Sequence, residues 1–250
     1  MPEDSTASPA ELLAAAEEII GAAAAAGATV RLLGGIAVFQ LAPSARAAPL
    51  ARSYHDYDVV VSSRHRAATA RVFRDAGYSE DQQFNALHGA QRMIFTAPRG
   101  FVVDVLVGTF QMCHRLDLGR DLPAGGLTIH PADLLLTKLQ IVQIEEKDLG
   151  DAVALLLDLP PDGTPAGIET GRFVAPLAGD WGFHHTVERN LPKVVQWARD
   201  RLGGDQAQAV AAGADRLRQA MEAAPKSVRW RMRARVGEKV TWYELPEDTG

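Results

Sequence analysis

The chain is short of cysteine, of aromatic residues and of net positive charge, and each shortage narrows what it can be. Cys113 is the sole cysteine, so no intrachain disulfide can form. That suits a reducing compartment, and a cytoplasmic location is expected. The formal net charge is -5, which removes the chain-wide basic footprint of a general nucleic-acid binder and leaves room only for a local patch. Long apolar runs are missing too. The stretch Ala22–Ala26 is short, alanine-based and bounded by Gly21 and Gly27, so no membrane span is expected. The opening Met1–Ser5 is acidic, unlike the basic start of a signal peptide. No internal repeat is visible. What remains is 250 residues, 47% of them hydrophobic, enough for one large domain or two small ones.

Local signals divide the chain at about residue 130. Ser8-Pro9-Ala10-Glu11 reads as a capping box opening a helix that runs to about Ala26 and stops at Gly27. A short strand Thr29–Leu33 leads through Gly34-Gly35 into a second helix from Ile36. After a loop with Pro43 and Pro49 come a strand over Tyr57–Ser62, a helix over Arg64–Ala76, and a hairpin of Arg92–Phe95 with Phe101–Val107. Leu127–Ile129 is a further short strand. From Pro131 the pattern turns helical: Ala132–Glu146, Asp148–Leu157, Val187–Leu202, Gln206–Ala223 and Pro225–Val236. In that last segment Arg229, Arg231, Arg233 and Arg235 alternate as on a strand, while Val228, Met232 and Val236 recur as on a helix; helix is preferred. The expected fold is α/β (α+β), a mixed sheet flanked by helices over 1–130 followed by a mainly helical region over 131–250.

The chemistry concentrates around Asp56-Tyr57-Asp58. Residues two apart on a strand face the same side, so both carboxylates project together and can chelate one hard cation. Taken alone, such a pair is most often two surface acids. Here it leads into Val59-Val60-Val61, and a third acid, Asp104, stands in the apolar strand Phe101–Val107, where an unpaired charge is costly. Gly34-Gly35, between a strand and a helix, offers backbone N–H groups and a helix dipole to a phosphate. Oxygen ligands shared with a substrate phosphate are what Mg²⁺ prefers.

Leu33-Gly34-Gly35, Arg52 four residues before Asp56-Tyr57-Asp58, and Val103-Asp104-Val105 together resemble the nucleotidyltransferase fold superfamily. The segments Pro131–Gln140, with Lys138, and Glu146–Asp151, with Asp148 and Asp151, are similar to its AbiEii-like branch, which includes toxin-antitoxin and abortive-infection effectors. The resemblance covers about residues 28–158. It implies a Mg²⁺- (or Mn²⁺-) dependent enzyme that moves a nucleotidyl group from an NTP to an RNA (tRNA) or protein hydroxyl, with an antitoxin protein as a further partner. It assigns catalysis to Asp56, Asp58, Asp104 and Lys138, metal binding to the three aspartates, and nucleotide binding to Gly34, Gly35, Arg52 and Lys138. Asp148 and Asp151, three apart on a helix, share a face and are weaker candidates. The chain departs from the pattern in two places. The gap from Gly35 to Asp56 is long, the excess falling in Ala42–Ala51, and Gly35 stands where a serine is usual.

Competing readings exist for each outlying feature. Lys138 equally suits a solvated lysine, and Arg52 a surface loop. Asp148 and Asp151 can meet Lys147, meet an arginine or cap the turn near Gly150. His184-His185 reads as structural or interfacial. The C-terminal arginines with Trp230, like Arg71, Arg74 and Arg92, suit either an RNA backbone or a solvated surface. The alternative function is a catalytically inactive nucleotide- or partner-binding regulatory module of the same fold; a metal-dependent nuclease would need a water-activating base, for which His55 and Lys138 are the candidates.

Overall fold

The structure, a computed structural model, describes residues 7–164 and 166–245. Met1–Ser5 therefore lies outside the described residues. By internal contacts the chain resolves into two compact units. One comprises residues 1–40, 52–110 and 117–130, the other residues 41–51, 111–116 and 131–250.

The first unit holds α1 (Pro9–Ala25), β1 (Val30–Leu33), α2 (Gly34–Leu41), β2 (Asp56–Val61), α3 (Arg66–Asp75), β3 (Ser79–Glu80), α4 (Gln82–His88), β4 (Arg92–Thr96) and β5 (Val102–Val107). The five strands form one sheet in the order β1-β2-β5-β4-β3. Only β2 and β5 are parallel; the other neighbours run antiparallel. The architecture is mixed α/β. Two further strands, β6 (Thr109–Gln111) and β7 (Arg115–Asp117), pair separately.

Helix α1 starts as its sequence dictates, with Ser8 Oγ accepting from the Glu11 amide and the Glu11 carboxylate accepting from the Ser8 amide. It packs on β1, β2 and α3. The sheet face beneath carries Tyr57, Val59 and Val61, then Val103, Val105 and Val107, then Met93 and Phe95, all buried. Phe73 of α3 stacks on Phe95 at 4.5 Å between ring centres, and the Tyr57 and Tyr78 hydroxyls meet at 3.2 Å. This apolar face is the core of the unit, and it leaves the alternate residues of β2 and β5 for the opposite face.

The second unit is helical: α5 (Pro131–Leu139), α6 (Glu146–Asp158), α7 (Thr170–Gly179), α8 (Trp181–Arg201), α9 (Gly204–Ala223) and α10 (Val228–Val236). The single helix expected over Ala132–Glu146 stops at Leu139. Asn190 of α8 explains the break: its amide Nδ2 donates to the carbonyls of Leu139 (2.9 Å) and Ile141 (2.8 Å), capturing groups that a helix end leaves unpaired. Gln140, fully buried, accepts from the His114 amide at 2.9 Å. The C-terminal segment is a helix, as preferred. Ser227 caps it through the Trp230 amide, and Arg233 closes its far end on the carbonyls of Gly237 and Val240. Arg233 also lies over the Trp181 ring at 4.7 Å, while Val228 and Met232 stay exposed.

His184 and His185 are built into this unit. His184 is buried with Trp230 edge-on at 5.2 Å, and His185 stacks on Trp181 and meets Glu238 Oε1 at 3.0 Å. His114 lies in the same unit, stacked on Phe183 and within 2.8 Å of Thr186 Oγ1. Burial lowers the pKa of both His114 and His184 from 6.5 to about 4. Between those two values the unfolded chain binds more protons than the folded one, so these residues favour folding above pH 6.5 and that contribution is lost as the pH falls toward 4. The urea midpoint is therefore expected to drop over this window, and the double variant His114→Gln, His184→Gln to show a flatter profile. Equal slopes in the two proteins would refute the assignment.

Candidate functional site

The register of β2 on its two neighbours assembles the site. Asp58 pairs with Asp104 across the parallel ladder, Asp56 with Val102, and Leu33 of β1 with Asp58 on the other side. Cross-strand partners share a face, so Asp56, Asp58 and Asp104 all stand on the side away from the apolar core. Exposure follows: Asp56 is open, while Asp58 and Asp104 are half-buried.

Gly34 follows Leu33 directly and opens α2, which places the turn beside Asp58. Its φ of +70° is in the left-handed region, and a Cβ there would overlap Asp58 Oδ2. Gly35 is crowded as well, by other residues. A Cβ at that position would collide with Arg52 Nη2 and lie 2.7 Å from Tyr54 Cε1. The space that a serine side chain would take at position 35 is thus filled by Arg52, whose guanidinium sits over the Tyr54 ring at 4.1 Å from its centre. Tyr54 is in turn buried edge-on against Phe39 of α2. Arg52 is anchored at the glycine turn rather than loose on the surface.

Tyr54 and Arg31 of this face escaped the reading of the sequence, and Arg92, read there only as an RNA-backbone or solvated arginine, has another role. Tyr54 is the platform for Arg52. Arg92 of β4 holds Asp104: its Nε lies 2.8 Å from both carboxylate oxygens, and Nη2 makes a further contact to Oδ2. That hydrogen bonding raises the pKa of Arg92, with the charges of Asp104 and Asp58 adding to it. Arg31, paired with Val60 and so on the same face, is 5% exposed and donates to the carbonyls of Val30 and Ala124; burial lowers its pKa. An arginine as such is no signal in a sequence. Only the register sets Arg31 and Arg92 on the face of the acids, and of the two it is Arg92 that pairs with one.

Gly34, Gly35, Arg52, Asp56, Asp58 and Asp104 thus belong to one unit, and Lys138, Asp148 and Asp151 to the other. Lys138 is buried, not solvated. Its Nζ meets Asp148 Oδ1 at 3.2 Å and Asp151 Oδ2 at 2.8 Å, so the partner of the two acids is Lys138 rather than Lys147, an arginine or the turn at Gly150. Among the described residues no three His, Cys, Asp or Glu side chains converge on a common metal position, and no helix is long and apolar enough to cross a membrane.

No family model matches the chain, and no curated protein matches it. Among solved structures it is similar to an antigenic nucleotidyltransferase-like protein from Paracoccidioides brasiliensis, at 14% identity and a TM-score of 0.42, over 89% of this chain and 97% of that one. It is also similar to the antibiotic-resistance factor ANT(2'')-Ia, at 10% identity and a TM-score of 0.34, over 84% of this chain and 94% of that one. At TM-scores this low the functional reading rests on the geometry of the acidic face alone.

Two substitutions test the packing described. Gly34→Ala forces a Cβ into both a left-handed backbone and Asp58, and is expected to lower stability by about 1–3 kcal/mol or more in urea unfolding. Lys138→Met strands two buried carboxylates and is expected to cost about 3–5 kcal/mol, whereas replacing all three members with apolar residues should recover most of that loss. An unaltered midpoint in Lys138→Met would show the ion pairs to be absent in solution.

Proposed function

We propose that the acidic face of the first unit is the active site of a Mg²⁺- or Mn²⁺-dependent nucleotidyltransferase, which moves a nucleotidyl group from an NTP to a hydroxyl of an RNA (tRNA) or a protein. One observation carries this reading: the Gly34 turn at the start of α2 abuts Asp58, so a phosphate cradle and a pair of metal-type acids adjoin. The donors fit the ion. Asp56 and Asp58 offer carboxylate oxygens on one face, and the bare α-carbon of Gly34 lets the turn approach Asp58 where a Cβ would overlap Oδ2. Mg²⁺ is usually held by one or two carboxylates, with water and substrate phosphate completing its shell. Bound there, the ion would supply charge neutralisation for the triphosphate.

The protein groups divide the remaining work. Amides at Gly34 and Gly35 receive the β- and γ-phosphates, and the dipole of α2 favours their charge. Arg52, braced by Tyr54, adds a fixed guanidinium at the same turn, suited to bidentate phosphate contact. The acceptor hydroxyl oxygen attacks the α-phosphorus and its proton passes to solvent water, the bond to the bridging oxygen breaks, and pyrophosphate leaves with the positive groups around it. A toxin-antitoxin or abortive-infection setting, with an antitoxin as partner, is the context that the AbiEii-like resemblance implies.

Incubation with α-labelled NTPs, Mg²⁺ and either total tRNA or a panel of proteins is expected to give label transfer. Even the outer partners of metal ligands are worth ~10–100-fold, so Asp56→Asn and Asp58→Asn should lose more than that. Transfer that survives in both variants would remove the site from these residues. Nucleotide binding without transfer by the wild type would instead favour the inactive binding module.

A further inference from the structure

The chain beyond α10 folds back onto α8 and walls a cavity in the second unit. Arg233 Nη2 donates to the carbonyls of Val240 and Thr241, and the Glu244 amide donates to the Cys113 carbonyl at 3.1 Å. The bare α-carbon of Gly182 lets the Trp242 carbonyl approach α8. Trp242 Nε1 donates to Thr186 Oγ1 at 3.1 Å, which fixes the indole. Trp181, His185 and Tyr243 meet that ring at 73°, 76° and 74°, so among the described residues no ring stacks parallel on it. Between this strap and α8 lies a cavity of about 110 Å³, lined by Trp242, Tyr243, Arg189 and Lys193 with Thr186 and Asn190 behind them.

Arg189 and Lys193 are one turn apart on α8 and share a face. Arg189 is answered by Glu238 at 3.1 Å, a carboxylate it shares with His185. Lys193 Nζ meets the neutral amide oxygen of Asn190 at 3.0 Å. Partial burial and the Arg189 charge lower the Lys193 pKa. An anion beside Lys193 therefore relieves a repulsion without displacing a carboxylate from it. The neutral polar groups are already engaged: Asn190 Nδ2 on the carbonyls of Leu139 and Ile141, and Thr186 Oγ1 between Trp242 and His114. What the cavity offers is aromatic surface beside positive charge, the pairing that holds nucleotides without reading base edges. Its volume is somewhat below the ~150 Å³ of a cavity that takes benzene, which suits a single ring and not a fused purine.

We propose that this cavity binds one pyrimidine nucleotide, free or as a unit of a single strand, with its base against Trp242 and Tyr243 and its phosphate on Lys193 in the field of Arg189. The lining residues all belong to the second unit, and the inference does not depend on the metal reading of Asp56 and Asp58.

Calorimetric titration of CMP into the full chain, with EDTA to keep divalent ions off the acidic face, tests the site. The wild type is expected to bind CMP, and cytidine, inorganic phosphate and AMP each more weakly. Trp242→Leu should weaken CMP binding ~10-fold or more through lost stacking, and Lys193→Gln by a similar ~10-fold through the lost charged contact. If Trp242→Leu does not fold, Tyr243→Ala takes its place. Asp58→Asn should bind CMP as the wild type does. A short oligocytidylate that binds more tightly than CMP identifies a strand as the natural source, and one that does not identifies a free nucleotide. No CMP binding by the wild type, loss of it in Asp58→Asn, or full affinity in Lys193→Gln would overturn the proposal. So would AMP, or phenyl phosphate as a stand-in for a phosphotyrosine peptide, binding as tightly as CMP.

Discussion

Parallel pairing of β2 with β5, in the register that sets Asp58 against Asp104, is the constraint on which the rest of the acidic face depends. Because side chains alternate with a period of two, this register decides at once which residues enter the core and which turn away from it. Tyr57, Val59, Val103 and Val105 are packed on one side as a direct consequence of Asp56, Asp58 and Asp104 standing on the other. A slip of β2 by one residue would bury Asp56 and Asp58 beneath α1 and turn Tyr57 and Val59 out of the core. The apolar packing of one face and the chemistry of the other are therefore enforced by a single set of ladder hydrogen bonds.

The same register balances charge. Three carboxylates on one sheet face repel one another, and the sheet answers with arginines. Arg92 enters from β4 and Arg52 from the loop before β2, while Arg31 of β1 stands on the same face. Each is held differently. Arg92 is bound by a carboxylate, Arg31 is turned onto backbone carbonyls, and Arg52 lies on an aromatic ring. An arginine confined as Arg92 and Arg52 are loses less freedom when it meets an anion than an unrestrained one would.

Much of this was legible in the chain. The capping box of Ser8 and Glu11, the helix after Gly34, the hairpin before Asp104 and the helical nature of the second half are local, and local chemistry announces them. Shared facing of Asp56 and Asp58 follows from strand geometry alone. What stayed hidden depends on residues distant in sequence. Helix α5 stops at Leu139 because Asn190, 51 residues on, captures the carbonyl there. Asp148 and Asp151 were visible as one helical face, but their partner Lys138 sits on a different helix. The link from Arg92 to Asp104 needs a cross-strand register that no local pattern specifies.

Gly35 and Arg52 compete for one volume. The space that a side chain at position 35 would take is filled by a guanidinium and a tyrosine edge. Two residues 17 positions apart in the sequence are thereby no longer free to change one at a time. A side chain acquired at position 35 must first evict Arg52, and a smaller residue at 52 would leave a hole at the turn.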